Sequence, residues 1–263
     1  MTPTSKVHEY EFTVVENEPA AEGLYRMVFS APVLAAAIRP GQFMNFLVPG
    51  AKQILRVPLS FAHADAEAGT IEIIYALVGE ATRALSRMAA GEKSSVLGPS
   101  GNGWSVREGQ GRSIVIGGGV GAPPVVAAAR LLADNGVAFD GILGAQAAEK
   151  LWGAEALSEL GAGQALVTTD DGTAGIKGFT TDALAELLAG GIYDTVYTCG
   201  PQVMMRGIAK MCADAGVSCQ VSMERMMSCT FGACNTCNVS MADGTYKSCC
   251  MDGPVFDAKE VAW

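Results

Sequence analysis

Cysteine is missing from the front of this chain. None precedes Cys199, and all eight lie between Cys199 and Cys250. Basic residues are also scarce, with 18 Lys and Arg against 27 Asp and Glu and a net charge of −9. That balance, with no basic run, argues against nucleic acid or an anionic membrane surface as partner. Local positive sites for anionic cofactors are compatible with it. The start, Met-Thr-Pro-Thr-Ser-Lys-Val-His-Glu-Tyr, lacks a basic segment followed by an apolar one, so no signal peptide is expected. No apolar stretch reaches the roughly 18 residues of a membrane helix, so none is expected. The protein is read as cytoplasmic. Histidine is limited to His8 and His63, both isolated and read as structural or solvent-facing.

What remains is ample for packed cores. At 263 residues, the chain has room for one large or two ordinary domains plus an appendage. Hydrophobic residues make up 49% and charged ones 17%, which excludes a disordered chain. Glycine, at 32 residues, points to many turns or to backbone that must approach ligands closely.

Three regions follow one another. Val7–Glu16, Gly23–Ser30, Gln42–Val48 and Thr70–Val78 are short, rich in β-branched and aromatic residues and separated by turn formers. They predict a small antiparallel barrel or sandwich, with one short helix over Ala81–Ala90. Gly98-Pro99-Ser100-Gly101-Asn102-Gly103 is expected to break regular structure. From Ser113 onward, strands alternate with helices. The strands are Ser113–Ile116, Val137–Leu143, Ala165–Thr169, Thr195–Cys199 and Val217–Val221, and the helices Pro123–Asn135, Ala154–Leu160, Thr180–Leu188 and Gln202–Ala215. That alternation implies a parallel sheet with right-handed crossovers. The expected division is 1–106, 107–221 and a cysteine-rich 222–263.

In a cytoplasmic chain, disulfides are disfavoured and clustered cysteines point to metal or redox work. Cys229, Cys234 and Cys237 give C-x4-C-x2-C, the plant-type ferredoxin spacing, with a fourth cysteine further on. Small residues at Gly232 and Ala233 let the backbone approach the sulfurs. A zinc site or buried thiols are the bland alternative, but zinc sites usually show two C-x2-C-like pairs. Spacing does not choose between Cys249 and Cys250 as the last ligand. Cys212 and Cys219 have no partner pattern and are read as buried thiols.

Gly117-Gly118-Gly119-Val120-Gly121-Ala122 follows a strand and opens a helix, satisfying G-x-G-x-x-A. Glycines admit a pyrophosphate to the backbone, and the helix N-terminus favours its charge. Pro123 and Pro124 suit a first helical turn. A plain glycine turn is the alternative. After the next strand, Gly144-Ala145-Gln146-Ala147-Ala148 carries no cation for a 2′-phosphate, which favours NADH over NADPH. Cys199-Gly200-Pro201 ends a strand of this sheet, where such sheets bind ligands; an ordinary strand–turn–helix junction explains it equally. In Arg56-Val57-Pro58-Leu59-Ser60, an Arg can neutralise a phosphate and a Ser can hydrogen-bond a ring nitrogen. An ordinary edge strand explains that segment as well.

Taken together, these motifs resemble the ferredoxin–NADP reductase superfamily, and most closely the electron-transfer subunits of type B dihydroorotate dehydrogenase. The resemblance covers nearly the whole chain. It rests on Pro40–Phe43, Arg56–Ser60, Leu97–Gly103, Gly117–Pro124, Asp170–Gly172, Lys177–Asp182, Cys199–Pro201, Ser222–Met226 and Asp252–Phe256. It implies a six-stranded antiparallel barrel holding FAD, NADH on a parallel-sheet domain and a 2Fe-2S cluster on a small C-terminal segment. The implied flavin contacts are Arg56, Val57, Pro58, Leu59, Ser60, Ile74, Tyr75, Ala76, Ala81 and Thr82. The implied NADH contacts are Gly117, Gly118, Gly119, Val120, Gly121, Cys199, Gly200 and Pro201. The family's last ligand stands one residue before Asp-Gly-Pro, which implies Cys250.

The resemblance also implies a catalytic flavoprotein partner of the dihydroorotate dehydrogenase type, in a heterotetramer that would hold the substrate site. No residue here reads as an acid–base catalyst for a pyrimidine. Two departures stand out. Val57 occupies the place where the family commonly has Arg, and Thr230-Phe231 interrupts a loop that usually reads Cys-Gly-x-Gly-x-Cys. The small subunit of electron-bifurcating NADH-dependent ferredoxin–NADP reductases is the nearest rival, but it generally carries Asp at the position of Cys229. A hydrogenase-type complex with the same cofactors is a further alternative. A nucleotide-sensing protein with structural zinc is the non-enzyme alternative.

Overall fold

The computed structural model describes residues 7–50, 52 and 54–263. Residues 1–6, on which part of the reading of the N-terminus rests, lie outside them. Among the described residues, no helix is long and apolar enough to cross a membrane.

The first region is an antiparallel sheet of seven strands: β1 (His8–Ala21), β2 (Leu24–Ser30), β3 (Phe43–Phe46), β4 (Val57–Ser60), β5 (His63–Asp65), β6 (Thr70–Ala76) and β7 (Lys93–Ser100). Their order is β4-β3-β7-β1-β2-β6-β5. The two outer strands, β4 and β5, are consecutive pieces of one segment bent at Phe61-Ala62. β4 pairs with β3, and β5 pairs with β6. The Ala62 N–H donates to the Glu72 carbonyl across the bend at 2.9 Å. Residues 57–65 therefore seam the sheet into a barrel. Counted as one bent stave, they give the expected six strands. The interior is apolar and aromatic: Phe12, Phe29 and Phe46 meet edge-to-face with centroids 5.2 to 5.4 Å apart.

Two local expectations are corrected. β7 runs through Gly98 and Pro99 to Ser100, with Gly98 opposite His8 and Ser100 opposite Phe43. The strand lies between two partners, so tertiary pairing overrides the poor strand propensity of Gly-Pro. The break comes only at Gly101, where φ reaches +74°. The helix expected over Ala81–Ala90 stops at Leu85. It is α2 (Glu80–Leu85), following α1 (Pro32–Ala37). Leu85 and Met88 are both buried, so the apolar face is as expected and only the helical winding ends early.

The second sheet holds β8 (Ser113–Gly118), β9 (Phe139–Ala145), β10 (Ala165–Thr169), β11 (Ile176–Lys177), β12 (Thr195–Cys199) and β13 (Ser218–Ser222). The helices α3 (Ala122–Asp134), α4 (Ala154–Glu159), α5 (Thr180–Gly190) and α6 (Gln202–Ala215) connect them. These six strands are parallel in the order β11-β10-β9-β8-β12-β13. The central strands are buried on both faces, as their near-continuous Val and Ile content requires. Strand order reverses between β8 and β12, which sets the topological switch point there.

The C-terminal segment adds a small hairpin, β14 (Asn238–Ser240) with β15 (Tyr246–Ser248), and then β16 (Val255–Asp257). β16 pairs antiparallel with β13 and closes the second sheet. Val239, Met241, Phe256 and Val261 pack into the core formed by α5, α6 and the sheet. Each such buried apolar side chain is worth about 1.5–3 kcal/mol.

The parts interlock. Phe43 of the barrel lies in the core of the second sheet, and Ala127 of α3 lies in the barrel core. Trp104 on the connecting segment donates from Nε1 to the Pro124 carbonyl at 2.9 Å. The Gly98–Gly103 and Asp252–Phe256 motifs also meet. The Asn102 N–H donates to the Gly253 carbonyl at 2.5 Å, and its amide donates to the Met251 and Asp252 carbonyls. A Cβ on Gly101 would collide with the Gly253 carbonyl.

Candidate functional site

All three regions border one cleft of about 230 Å³. The barrel supplies Gly41, Phe43, Pro58, Leu59 and Ser60. The second sheet supplies Pro124, Cys199 and Ser222, and the C-terminal segment supplies Met223, Glu224, Arg225, Met227 and Pro254. Cys199 ends β12 and Ser222 ends β13, so the cleft opens at the carboxyl ends of parallel strands.

The glycine loop lies beside it, at the switch point. Gly117 pairs with Cys199. A Cβ on Gly121 would run into the Cys199 carbonyl, and one on Gly118 would meet Met204 and Pro201. Gly119 has φ +54° and Gly200 φ +152°, conformations that side chains avoid. The predicted nucleotide residues Gly117–Gly121 and Cys199–Pro201 are thus gathered into one bare-backbone cradle over the start of α3. The loop after β9 carries no cation of its own, but Lys150 reaches back and donates to the Gln146 side-chain oxygen at 2.8 Å. Sequence inspection missed this because Lys150 lies just past the loop, in a short 3₁₀ turn.

The predicted flavin residues divide. Pro58, Leu59 and Ser60 line the cleft. Arg56 points away from it: its guanidinium donates to Glu9 at 2.5 Å and to the Ser95 hydroxyl and carbonyl at 3.0 and 3.1 Å. Val57 packs against the barrel core. Ile74 and Tyr75 are buried in barrel packing, and the Tyr75 hydroxyl bonds Asn17 at 3.0 Å. Ala81 and Thr82 also face inward, with Thr82 Oγ1 accepting the Gly79 N–H at 3.2 Å. These positions offer a ligand their backbone rather than their side chains.

The cysteine loop sets two pairs of thiols side by side, Cys229 bearing on the ionisation of Cys234 and Cys237 on that of Cys250. Main-chain N–H groups point at the sulfurs, from Ala233 to Cys229 at 3.2 Å and from Cys250 to Cys237 at 3.4 Å. Among the described residues, no three His, Cys, Asp or Glu side chains converge on a single-ion position. A two-iron cluster with two thiolates per iron needs pairs instead, and this chain supplies them. Cys249 is turned elsewhere. Its buried thiol donates to the Met223 carbonyl at 3.1 Å. Cys212 and Cys219 are buried in the second core, as expected.

Electrostatics separates the thiols. Hydrogen bonds from Thr236 and Cys229 hold exposed Cys234 down at about 6. Burial, then the neighbouring Cys237, pushes Cys249 and Cys250 up to about 12. Burial likewise raises Cys199 to about 12. Thr230 takes the left-handed conformation, φ +67°, that Gly usually provides, and its hydroxyl donates to the Cys229 carbonyl at 2.5 Å. For a buried β-branched residue this backbone is a genuine outlier.

Sequence reasoning used Pro40–Phe43 and Ser222–Met226 as marks of the resemblance but assigned no site role to Gly41, Phe43 or Met223–Met227. The available signal was position. The residues after β13 stand at the carboxyl end of a parallel strand, where ligands bind.

Comparisons with known proteins bear on the C-terminal segment and on the fold as a whole. Residues 224–262 match the family described as the iron-sulfur cluster binding domain of dihydroorotate dehydrogenase B. The chain is 36% identical to the dihydroorotate dehydrogenase B (NAD(+)) electron transfer subunit of Geobacillus sp. strain WCH70, over 95% of this chain and 97% of that one. It is 36% identical to the corresponding subunit of Bacillus velezensis, over 95% of this chain and 97% of the relative. Among solved structures, a chain of an NADH-dependent reduced ferredoxin–NADP oxidoreductase superposes with a TM-score of 0.87 at 30% identity, covering 95% of this chain and 89% of that one. The Amycolatopsis cytochrome P450 reductase GcoB shares the fold alone, with a TM-score of 0.68 at 24% identity over 80% of this chain and 66% of that one. The chain belongs to the family of electron transfer subunits of dihydroorotate dehydrogenase B (NAD(+)).

Proposed function

We propose that this chain passes electrons between NADH and a catalytic flavoprotein partner of the dihydroorotate dehydrogenase type, in the dihydroorotate–orotate step of pyrimidine biosynthesis. The observation that carries the reading is the pairing of Cys229/Cys234 and Cys237/Cys250 beside a cleft shared by the barrel and the sheet's switch point. FAD, when bound, supplies the conversion between a hydride pair and single electrons. Gly117–Gly121 and Cys199–Pro201 cradle the nicotinamide nucleotide. Pro58, Leu59 and Ser60 hold the flavin ring, and the backbone at Ile74–Ala76 and Ala81–Thr82 serves the rest of that cofactor. Arg56 braces the barrel and leaves the flavin phosphates to other groups. Cys229, Cys234, Cys237 and Cys250 hold a 2Fe-2S cluster, with Cys234 at the surface where electrons leave.

The working division is 1–106 for FAD, 107–221 for NADH and 222–263 for the cluster. The acidic balance and the eight free cysteines, clustered as for metal rather than paired in disulfides, favour a cytoplasmic setting.

Co-expression with the neighbouring gene tests the whole reading. The expected result is a co-purifying flavoprotein, flavin and iron–sulfur absorbance, and orotate reduction driven by NADH. Zinc without iron would overturn it. Ferredoxin- and NADP-linked turnover without orotate reduction would move the chain to the bifurcating type.

A further inference from the structure

Leu97–Gly103 and Asp252–Phe256 hold no cofactor in the proposed path, yet their contacts form a short bridge between the flavin cleft and Cys250. The bridge starts on the cleft wall. Gly41 and Phe43 line the cavity, and Phe43 stands opposite Ser60 in the pairing of β3 with β4. Between them, the buried Gln42 side chain accepts the Arg39 N–H at 2.9 Å and donates to the Gly101 carbonyl at 2.7 Å. Both ends of that amide are engaged, so Gly101 is held at a fixed distance from the cleft wall.

Gly101 is buried and left-handed, with φ +74°. Its bare Cα lies so close to the Gly253 carbonyl and the Pro254 ring that a Cβ would overlap both. The Asn102 N–H donates to that carbonyl at 2.5 Å, and the Asn102 amide donates to the Met251 and Asp252 carbonyls at 3.2 and 3.0 Å. The side-chain bonds are exposed, and competition from water leaves each a modest net worth. The buried backbone contact at Gly101 is the stiffer part. Beyond it, residues 248–253 form one closed turn. The Ser248 carbonyl accepts the N–H groups of Met251, Asp252 and Gly253 at 2.8 to 3.2 Å, and the Asp252 carboxylate accepts the Ser248 N–H at 2.7 Å. Cys250 sits inside that turn, so a shift at Gly253 moves its thiol as well.

The pairing of β13 with β16 anchors the cluster segment to the second sheet. Gly101 and Asn102 tie it to the barrel. Passing one electron from flavin to cluster makes and breaks no bond, so its rate is set chiefly by separation and driving force. We infer that Gly101 and Asn102, braced by Gln42, are positioning residues that hold the cluster at a fixed spacing from the flavin cleft and thereby set how fast electrons cross. This assignment rests on the electron path proposed above.

Anaerobic rapid mixing of the full, cofactor-loaded chain with NADH tests it, with flavin and cluster bleaching followed separately. Gly101→Ala, whose Cβ pushes on the Gly253 carbonyl, should slow cluster bleaching by about 100-fold, and Asn102→Ala by about 10-fold. Flavin bleaching and the midpoint potential of the cluster should stay at wild-type values in both. The magnetic coupling between flavin and cluster in half-reduced protein, read by pulsed EPR, should weaken in the same order. Should Gly101→Ala not fold, Asn102→Ala decides alone, because its side chain is exposed and its loss leaves no buried group unpaired. Wild-type cluster bleaching with unchanged coupling overturns the assignment, and so does slower bleaching accompanied by a shifted potential and unchanged coupling. Wild-type protein that lacks flavin and iron absorbance, or whose cluster NADH does not bleach, overturns the underlying electron path instead.

Discussion

The parallel sheet and the cysteine loop are neighbours built on opposite principles. In β8, β9 and β12, every residue obeys a regular ladder, and continuous Val and Ile burial fixes register without help from any single side chain. In residues 224–237, no ladder exists. Order comes from individual hydrogen bonds, three positive-φ residues (Thr230, Gly232 and Asn235) and the pairing of thiols. Losing one contact therefore has a graded effect in the sheet and an all-or-none effect in the loop.

Substitutions can break or sharpen that contrast. The largest expected effect is Cys250→Ser, which should strip the cluster, read as loss of iron, sulfide and visible absorbance. Cys249→Ser should keep all three, because that thiol is committed to the Met223 carbonyl. Loss of iron in both would undo the pairing. Next is Ile142→Ala at the fully buried centre of β9. It should cost about 2–5 kcal/mol in urea unfolding, while the fraction that stays folded keeps its iron.

Acid should reveal a smaller effect at the base of the sheet. Burial raises the carboxyl of Asp140, but Arg112 at 2.6 Å and Tyr193 at 2.7 Å outweigh it and hold the pKa below the usual range. A depressed folded pKa gives stability that is full above the unfolded value and lost as pH falls through the folded one. Asp140→Asn should lower Tm at neutral pH and flatten its decline below about pH 4. The smallest effect is at Thr230. Thr230→Gly should relieve the left-handed backbone and stabilise the iron-loaded chain by about 1 kcal/mol, read as a rise in Tm.

The same contrast explains what the sequence could reveal. Periodicity placed Ala165–Thr169, Thr195–Cys199 and Gln202–Ala215 at their observed limits, because local propensity and burial agree there. It missed the strand through Gly98-Pro99, whose partners are distant in sequence. It also missed the bend at Phe61-Ala62, which only barrel closure requires. At the site, Cys229, Cys234 and Cys237 were legible because ferredoxin-type spacing is a local property. Spacing did not give the partner of Cys237, since Cys249 and Cys250 differ only in which way a turn points them; the choice of Cys250 came from the family resemblance alone. Arg56 looked like a phosphate ligand from its neighbours in sequence, but Glu9 and Ser95, brought beside it by strand pairing, claim its guanidinium.

The pairing of β13 with β16 has a consequence for how such chains can be built. Ser222 and Val255 stand opposite each other, so everything between them leaves and returns through one doorway. Residues 223–254 form a closed excursion from an otherwise finished reductase. A short turn joining Ser222 to Val255 should leave the strands in register, provided the apolar surface uncovered beneath Val239 and Met241 is made polar. The cluster segment is in this sense a removable cartridge, and other electron carriers could be fitted to the same doorway.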